Sequence, residues 1–330
     1  MKIRIISGND VKKAVNMAET IKAVKDAYTQ LSAGQAIVPQ RSHITIKEQD
    51  AVSLFMPAYL SQSQSLAIKI VSVFPRNKEK ELPTILAMVI ALSAESGQPL
   101  AVIEGSYLTA LRTGAASGVA TDLLARREAE VAALFGAGVQ TRTQIEAVLA
   151  VRPIRKIWIF DIYREKAEGL AEEIRKNYIT EKTEVQIASS PAQAVQEADV
   201  ICTATTSFRP VFDDASLKPG VHINGIGSYT PQMQEIPAKT VVRSKVVVDS
   251  FQACLAEAGD LIIPIEKGLL RKEDIYGEIG QITSGRLPGR QSDEEITFFK
   301  SVGIAVQDVA VAELVLSQSQ KLRLGVEVKI

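Results

Sequence analysis

The sequence predicts an α/β protein in which a doubly wound, Rossmann-type parallel sheet is joined to a discontinuous α+β domain. Three observations lead to this prediction. Strand-like and helix-like segments alternate from about residue 131 to residue 250, antiparallel strand patterns come before them, and a long apolar helix follows. We therefore expect one domain over 119–302 and a second domain built from 1–118 and 303–330.

Length and composition are typical of a globular protein. The chain has 330 residues, enough for two cores, with 46% hydrophobic and 23% charged residues. A net charge of zero without a basic cluster argues against nucleic-acid and membrane partners. We find neither a signal peptide in "MKIRIISGND" nor a run of the ~20 apolar residues of a membrane helix. Cys202 and Cys254 form no disulfide framework, so we expect a cytoplasmic protein.

The first domain begins with a clear helix pattern in "NMAETIKAVKDAYTQLSAG". Asn16 and Glu19 form a capping box, and Gly34 ends the helix. Strand patterns follow in "AVSLFMPA", "SLAIKIVSVFP" and "TILAMVIALSAESGQPLAVIEG". The last of these predicts a hairpin that turns at Glu95-Ser96-Gly97, so this region is expected to contain antiparallel strands.

A helix of small residues, "LRTGAASGVATDLLARR", precedes the alternating region. Six short apolar runs are then predicted as strands: "VAALFG", "KIWIFD", "EVQIAS", "VICTAT", "HINGIG" and "KVVVDS". Helix patterns separate the first four runs, which is typical of a parallel sheet with helices on both faces. Six strands are the number in a full doubly wound sheet.

The C-terminal segment changes in character again. Ser292 and Glu295 in "SDEEITFFKSVG" predict another helix start with a capping box. The following "IAVQDVAVAELVLSQSQKL" predicts an apolar helix of about five turns. Because this helix lies outside the alternating region, we assign it to the first domain.

A glycine turn, Gly136-Ala137-Gly138, links the first strand of the alternating region to a helix. Such a turn allows a pyrophosphate to approach the backbone at a helix N-terminus, although Thr141 stands where a third glycine or alanine is usual. The next strand ends at Asp161, a position from which a carboxylate accepts hydrogen bonds from ribose hydroxyls and favours NAD. Arg164 could contact the 2′-phosphate of NADP, and an ordinary strand-turn-helix with a solvated aspartate is the structural alternative.

The candidates for chemistry are cations. His43 and His222 are the only histidines, and His222 lies in an apolar strand where a hydrogen-bonded core histidine is expected. Lys69 interrupts an apolar strand, Arg112 stands at a predicted break before "TGAASG", directly ahead of a helix, and Arg41 follows "AIVPQ". A charge in an apolar segment is costly unless it is paired or functional. Arginine binds carboxylates and a desolvated lysine exchanges protons near neutral pH, but structural ion pairs remain the alternative for each.

These residues stand in segments that resemble the ornithine cyclodeaminase/μ-crystallin family over essentially the whole chain. The matching segments are "VPQRSHI", "FMPAYL", "IKIVSVFPRN", "LPT", "EGSYLTALRTGAASGVAT", "FGAGVQ", "GVHINGIGS" and "GRQSDEEITFFKSVGIAVQDVAVAE". The resemblance implies a Rossmann-type NAD(P)-binding domain. It also implies a discontinuous domain that binds the substrate and forms a homodimer.

The resemblance also implies roles for individual residues. Arg41 and Arg112 would hold a substrate carboxylate, Lys69 would lie beside the reacting carbon, and Lys69 and Arg112 are the candidate catalytic residues. Tyr229 and Val302 are further candidates for substrate contact. The candidate cofactor-binding residues are Thr84, Arg112, Thr113, Gly136, Gly138, Val139, Gln140, Asp161, Thr203, Thr205, Asn224, Gly225, Ile226, Gly227 and Ser301.

One departure from the family pattern separates its activities. Cyclodeaminases carry an aspartate in a loop of the form G-x-D-x-P-G-K-x-E, whereas this chain reads "GSYTPQMQE" with Tyr229 and Met233 in place of the aspartate and lysine. A phenol, with an ordinary pKa near ~10, is a poor substitute for a carboxylate base. This loop is similar to that of family members that reduce cyclic imines.

The resemblance therefore implies NAD(P)H-dependent reduction of a cyclic imino acid. The expected reaction converts Δ1-pyrroline-2-carboxylate to L-proline, or the related Δ1-piperideine-2-carboxylate to L-pipecolate, with NAD(H) favoured and NADP(H) as the alternative. Three other functions remain open. They are ornithine cyclodeaminase, an alanine or other amino-acid dehydrogenase (including a related siderophore-precursor enzyme), and a non-catalytic binding protein that uses the same pocket.

Overall fold

The computed structural model describes residues 1–179 and 182–330. The α-helices, in chain order, are α1 (Gly8–Ala14), α2 (Met17–Ser32), α3 (Gly105–Leu124), α4 (Val139–Val151), α5 (Arg164–Asn177), α6 (Pro191–Val195), α7 (Ala238–Arg243), α8 (Phe251–Glu257), α9 (Gly259–Glu266), α10 (Ile279–Thr283) and α11 (Ala305–Lys321).

The strands form two sheets. In chain order they are β1 (Lys2–Ile6), β2 (Ala36–Ile37), β3 (Ser42–Ile46), β4 (Ala51–Leu60), β5 (Ser65–Val73), β6 (Ile85–Ser93), β7 (Pro99–Glu104), β8 (Val131–Phe135), β9 (Lys156–Phe160), β10 (Glu184–Ile187), β11 (Val200–Thr203), β12 (His222–Gly225), β13 (Lys245–Val248), β14 (Gly277–Glu278), β15 (Thr297–Lys300) and β16 (Val326–Lys329).

The chain divides into two compact units. The first unit comprises residues 1–112 and 304–330, and the second comprises residues 113–303. The division falls inside α3, before the boundary at 118 that the sequence predicted.

The first unit contains a mixed sheet in the order β16-β1-β7-β6-β5-β4-β2, with β3 also paired to β4. Neighbours from β4 to β7 are antiparallel, and the predicted hairpin between β6 and β7 is confirmed, with Gly97 at a φ of +72°. The predicted C-terminal helix is α11, which packs against α2 and against β4, β5 and β6. These contacts bring α11 onto the face of the sheet that carries the candidate lysine.

The capping box that opens α2 is confirmed. Asn16 Oδ1 accepts from the Glu19 backbone N at 2.9 Å, and Glu19 Oε2 accepts from the Asn16 backbone N at 3.2 Å. Gly34, at a φ of +70°, follows the end of the helix. The short elements α1, β1 and β16 are absent from our sequence prediction, because their few residues give little periodicity.

The second unit contains an all-parallel sheet in the order β10-β9-β8-β11-β12-β15-β13-β14. The doubly wound prediction is confirmed, and all six predicted strands are present. Apolar clusters cover both faces of this sheet. Because the strands are parallel, the loops after β8, β9, β11, β12 and β15 emerge at one edge, where doubly wound proteins bind their ligands.

The predicted helix start at Ser292 is wrong, because the segment continues into strand β15. This strand is buried throughout and lies between β12 and β13. Glu295 instead accepts from the Gln291 backbone N at 3.1 Å and pairs with Lys245 at 2.7 Å. A capping pattern is a local signal, and the insertion of a strand between two others is decided by distant residues.

The predicted break before "TGAASG" is also wrong, because Arg112 lies in the middle of α3. Gly114 is a packing residue and does not interrupt the helix. A Cβ atom on Gly114 would lie 2.3 Å from the backbone O of Thr143, so the glycine lets α3 approach the backbone of α4. No helix of the described ranges is long and apolar enough to cross a membrane.

Candidate active site

Lys69 of β5 is buried against α11 of the first unit. Its side chain is 2% exposed, and Nζ lies 2.9 Å and 2.8 Å from the two carboxylate oxygens of Asp308. Across the sheet its register partners are Met56 of β4 and Val89 of β6. The ammonium group therefore stands on an apolar part of the sheet, and α11 supplies its carboxylate.

Arg112 of α3 binds the same carboxylate. Its Nε lies 3.0 Å from Asp308 Oδ1, and Nη1 donates to Oε1 of Gln307. Gln307 also donates to the hydroxyl of Tyr28 and accepts from the Ile304 backbone N at 3.2 Å. Two cations thus share one carboxylate, which leaves one positive charge in excess and makes the cluster receptive to an anionic ligand.

Burial lowers the pKa of Lys69 to about 8, and the charge of Arg112 contributes in the same direction. Asp308 opposes this shift because a nearby carboxylate stabilises the ammonium form. Arg41 also lowers the pKa of Lys69, so its guanidinium lies within electrostatic reach. A lysine with a pKa near 8 is mostly protonated at neutral pH and can both donate and regain a proton.

Two other predicted residues of the first unit lie in loops. Arg41 precedes β3 and is half-buried. Thr84 precedes β6, and its carbonyl accepts from the Phe74 backbone N at 2.8 Å. Of the predicted substrate-binding residues, the structure thus brings Arg41, Lys69 and Arg112 into one electrostatic group.

The glycine turn of the second unit has the geometry of a phosphate-binding loop. Gly136 has a φ of +90°, and a Cβ atom there would lie 2.9 Å from the Ala204 backbone O. At Gly138, the N-cap of α4, an added Cβ would meet no atom within 4 Å. Thr141 Oγ1 donates to the Gly136 carbonyl at 2.7 Å, so the departure from the glycine pattern stabilises the turn. These residues fit a pyrophosphate at the start of α4.

Asp161 follows β9 and faces the glycine turn. Its Oδ2 accepts from the Ala137 backbone N and its Oδ1 from the Tyr163 backbone N, both at 2.8 Å. Arg164 forms an exposed pair with Glu168 at 2.9 Å. The two predicted neighbours of the turn on α4 differ in exposure, since Val139 is exposed and Gln140 is half-buried. The Asp161 carboxylate is thus oriented beside the site that a dinucleotide ribose occupies in this fold.

The loops after β11 and β12 meet at a buried carboxylate that we did not predict. Glu235 Oε1 accepts from the backbone N of Thr205 at 2.6 Å and from its hydroxyl at 2.7 Å. Glu235 Oε2 accepts from the hydroxyl of Thr203 at 2.9 Å and from the Gly227 backbone N at 2.6 Å. Three residues predicted to bind the cofactor are therefore held by one side chain.

Asn224 has its side chain committed to the protein interior. The Asn224 amide bonds to His222 Nε2 at 3.2 Å and to Thr121 Oγ1 at 3.0 Å, and its backbone lies in β12 between β11 and β15. His222 is the hydrogen-bonded core histidine that we expected, and burial lowers its pKa to about 3. Gly225 lies within β12 with its carbonyl 3.1 Å from Lys300 Nζ, and Ile226 donates its backbone N to Thr203 O at 2.9 Å.

Asp249 organises the loop after β15. Its Oδ2 accepts from the Ser301 hydroxyl at 2.7 Å and from the backbone N of Val302 at 3.1 Å and of Gly303 at 2.8 Å. The predicted cofactor contact of Ser301 and substrate contact of Val302 therefore come from a loop of fixed shape. Thr113, another predicted cofactor residue, is buried on α3.

The loop that departs from the cyclodeaminase pattern presents its tyrosine outward. Tyr229 is 46% exposed, whereas Met233, which replaces the lysine of the pattern, is buried. Of these two substituted positions, Tyr229 is thus the one that can meet a ligand.

The carboxylates that organise these sites are absent from our sequence prediction. Asp308 interrupts the apolar helix "IAVQDVAVAE" just as Lys69 interrupts a strand, so the same reasoning could have identified it. Glu235 is the final glutamate of the family loop pattern G-x-D-x-P-G-K-x-E, so that pattern could have identified it. Asp249 follows an apolar strand, where acidic residues are common, and nothing in its local pattern distinguishes it.

The sheet order, the glycine turn and Asp161 are those of dinucleotide-binding α/β proteins. The model of the ornithine cyclodeaminase/mu-crystallin family matches residues 2–321, and the chain belongs to this family. The family resemblance is thereby confirmed.

Three relatives match almost the whole chain. The chain is 41% identical over 324 residues to a Δ1-pyrroline-2-carboxylate reductase of Bacillus cereus, covering 97% of this chain and 98% of the relative. The solved Δ1-pyrroline-2-carboxylate reductase of Thermococcus litoralis, in complex with NADH and L-proline, is 39% identical with a TM-score of 0.94, covering 99% and 100%. A solved archaeal alanine dehydrogenase dimer with bound NAD is 32% identical with a TM-score of 0.93, covering 100% of both chains.

Proposed function

We propose that the protein is an NADH-dependent imine reductase that converts Δ1-pyrroline-2-carboxylate to L-proline. The observation that carries this proposal is the buried cluster of Lys69, Asp308 and Arg112, with its excess positive charge and its lysine of lowered pKa. The bacterial and archaeal reductases that match the chain over nearly its whole length support the same reaction.

The substrate carboxylate would neutralise the excess charge of the cluster. Arg112 is held in place by Asp308 and Gln307, so its guanidinium is oriented before a substrate arrives. Arg41 is the second cation near Lys69 and would bind the same carboxylate from its loop. A bound carboxylate raises the pKa of Lys69, because it adds a negative charge beside the ammonium group.

Lys69 would supply the proton that the reaction needs. Its ammonium group hydrogen-bonds or protonates the ring nitrogen, which withdraws electrons from the imine carbon. NADH, held by the glycine turn and Asp161 of the second unit, would supply the hydride for the new C–H bond. The C=N double bond becomes a CH–NH single bond, and Lys69 regains its proton from water. Asp308, which accepts from Lys69 Nζ at 2.9 Å, holds the end of the lysine side chain in place.

The site suits a ring better than a diamine. The one carboxylate that binds Lys69 also binds Arg112, and the strand neighbours of Lys69 are Met56 and Val89. A second substrate ammonium would need a carboxylate of its own, since an unpaired buried charge is costly. Tyr229 stands where cyclodeaminases carry that aspartate. Ornithine is therefore disfavoured as the substrate.

We further propose that the second unit binds NAD(H) and that the first unit binds the substrate and forms a homodimer. The glycine turn and the orientation of Asp161 support the cofactor assignment. Exposed apolar side chains on the sheet of the first unit, Ile44, Leu86 and Met88 among them, would be covered by a second copy. The archaeal relative is a dimer.

The proposed function is tested by mixing the purified protein with Δ1-pyrroline-2-carboxylate and NADH, then NADPH, and following nicotinamide absorbance. Parallel reactions contain L-ornithine with NAD⁺, assayed for ammonia and proline, and pyruvate with ammonia and NADH. We expect ring reduction with NADH and no ammonia from ornithine. Ornithine turnover, or a higher kcat/KM for pyruvate than for the ring, would contradict the proposal. NADH binding without any turnover would favour a binding protein.

Asp161→Ser should shift the cofactor preference toward NADPH. The change removes the negative charge that repels a 2′-phosphate, and it leaves Arg164 nearby as a cation. We expect the ratio of kcat/KM for NADPH to that for NADH to rise about tenfold. Glu165→Ser removes an exposed acid from the first turn of α5 and serves as the matched control. An unchanged ratio in Asp161→Ser would argue against the ribose contact.

A further inference from the structure

We propose that Glu235 is a positioning residue that fastens the loop after β11 to the loop after β12 and thereby sets the shape of the NADH site of the second unit. This inference rests on the proposed function. Glu235 would not touch NADH and would act through Thr205, Gly227 and Tyr229.

The hydrogen bonds of Glu235 join two separate loops. One carboxylate oxygen accepts two hydrogen bonds from Thr205, in the loop after β11. The other accepts one from Thr203, the last residue of β11, and one from Gly227, in the loop after β12. A Cβ atom on Gly227 would lie 2.1 Å from the Thr205 backbone O, so the two loops touch backbone to backbone. An ionised carboxylate can accept from all four donors at once, whereas burial and the charge of Asp260 raise the pKa of Glu235.

Two more charged groups complete a buried cluster around Glu235. Asp260, at the start of α9, accepts from the backbone N of Glu235 at 2.7 Å and of Ile236 at 2.9 Å. Lys300, at the end of β15, lies 3.3 Å from Asp260 and 3.1 Å from the Gly225 carbonyl. All three charged side chains are fully buried. Well-packed apolar residues would stabilise the core at least as much as this charged cluster does. The contribution of the cluster is therefore the loop geometry that its hydrogen bonds impose.

The same cluster carries the segment that presents Tyr229. Ser228 donates its hydroxyl to the Met233 carbonyl at 2.7 Å and accepts from the Asp260 backbone N at 3.1 Å. The Met233 backbone N donates to the Thr230 carbonyl at 3.1 Å, which closes the segment on itself. Tyr229 is an exposed residue of this closed segment, and its position follows from that of Glu235 and Asp260.

Glu235→Gln tests the inference, because the amide has an NH₂ group in place of one acceptor oxygen. This NH₂ group faces hydrogen-bond donors and cannot accept from them, so two of the four hydrogen bonds are lost. We expect kcat/KM for ring reduction to fall about 10²-fold, as for a displacement of about 1 Å in an active site. We expect the Kd for NADH, measured by its fluorescence, to rise about tenfold.

Asp199→Asn is the matched control. Asp199 is also a buried carboxylate of the second unit, but it precedes β11 at the opposite edge of the sheet, where it accepts from the backbone N of Glu130 and Val131, both at 2.9 Å. This variant should lower the melting temperature while kcat/KM per folded molecule and NADH affinity stay at the wild-type values. If Glu235→Gln likewise lowers only the melting temperature, Glu235 is merely structural and the inference is overturned.

Two further measurements keep the test decisive. If Glu235→Gln does not fold, Thr205→Val removes one donor to Glu235 and should lower kcat/KM, and Thr205→Ser should restore it because the hydroxyl is kept. Equal activities in both variants would overturn the inference. If wild type reduces no cyclic imine, the proposed function fails, and the NADH affinities of Glu235→Gln and Asp199→Asn still decide the role of Glu235.

Discussion

Lys69→Ala should lower kcat for reduction of Δ1-pyrroline-2-carboxylate by about 10²–10⁴-fold, the usual contribution of a positioned general acid. The Kd for NADH should stay within about twofold of wild type, because the glycine turn and Asp161 belong to the second unit. Asp308 keeps Arg112 as its partner in this variant, so no buried carboxylate is left unpaired. Steady-state kinetics and an NADH fluorescence titration measure the two effects.

Two controls separate a lost proton donor from a damaged fold. Lys22→Ala removes an exposed lysine from α2 and should leave kcat unchanged. Ethylammonium added to Lys69→Ala should restore part of kcat, because a small amine can enter the space left by the side chain. A parallel loss of kcat and of NADH binding would contradict the role of Lys69 as the proton donor.

Asp308→Asn should produce the second large effect, a displaced pH profile. In the wild type, kcat/KM for ring reduction should decline as the pH rises through about 8, because Lys69 of the free enzyme then loses its proton. Asp308 raises the pKa of Lys69 and Arg112 lowers it, so removing the carboxylate lowers that pKa further. The decline in kcat/KM should therefore begin at a lower pH in Asp308→Asn.

The same substitution should also reduce stability in a pH-dependent way. It leaves two buried cations without their carboxylate, and breaking such a pair costs about 3–5 kcal/mol of the free energy of unfolding. A lysine with a lowered pKa in the folded state binds fewer protons there than in the unfolded state. Stability therefore rises with pH through the range in which Lys69 deprotonates. Urea unfolding of both proteins at pH 6 and at pH 9 measures this effect. The free energy of unfolding that Asp308→Asn loses relative to wild type should be smaller at pH 9.

Glu313→Gln provides the control for Asp308→Asn, since it makes the same chemical change at an exposed position of the same helix. Its pH profile should coincide with that of the wild type. If the profile of Asp308→Asn coincides with the wild type as well, Asp308 does not govern the protonation of Lys69, and another group must supply the proton.

Features that depend on neighbouring residues could be predicted from the sequence. The capping box of Asn16 and Glu19 and the turn at Gly97 each involve a few adjacent residues, and both are confirmed. The doubly wound sheet could also be predicted, because each strand and each helix has its own periodicity over a short stretch of sequence. The two errors concern segments whose local pattern conflicts with their packing. Thr297–Lys300 becomes a strand between two others, and Gly114 allows a helix contact where a break was expected.

The fold class, the family and the glycine turn could be predicted from the amino-acid sequence, and Lys69 and Arg112 could be chosen as candidates, because periodicity, turn chemistry and misplaced charges are visible over short stretches of chain. The partners of these two cations became known from the three-dimensional packing. Asp308 lies 239 residues from Lys69 and 196 residues from Arg112, and their contact depends on α11 returning to the sheet of the first unit. The charge balance and the pKa of Lys69 follow from that contact and from burial, which are properties of packing between distant segments.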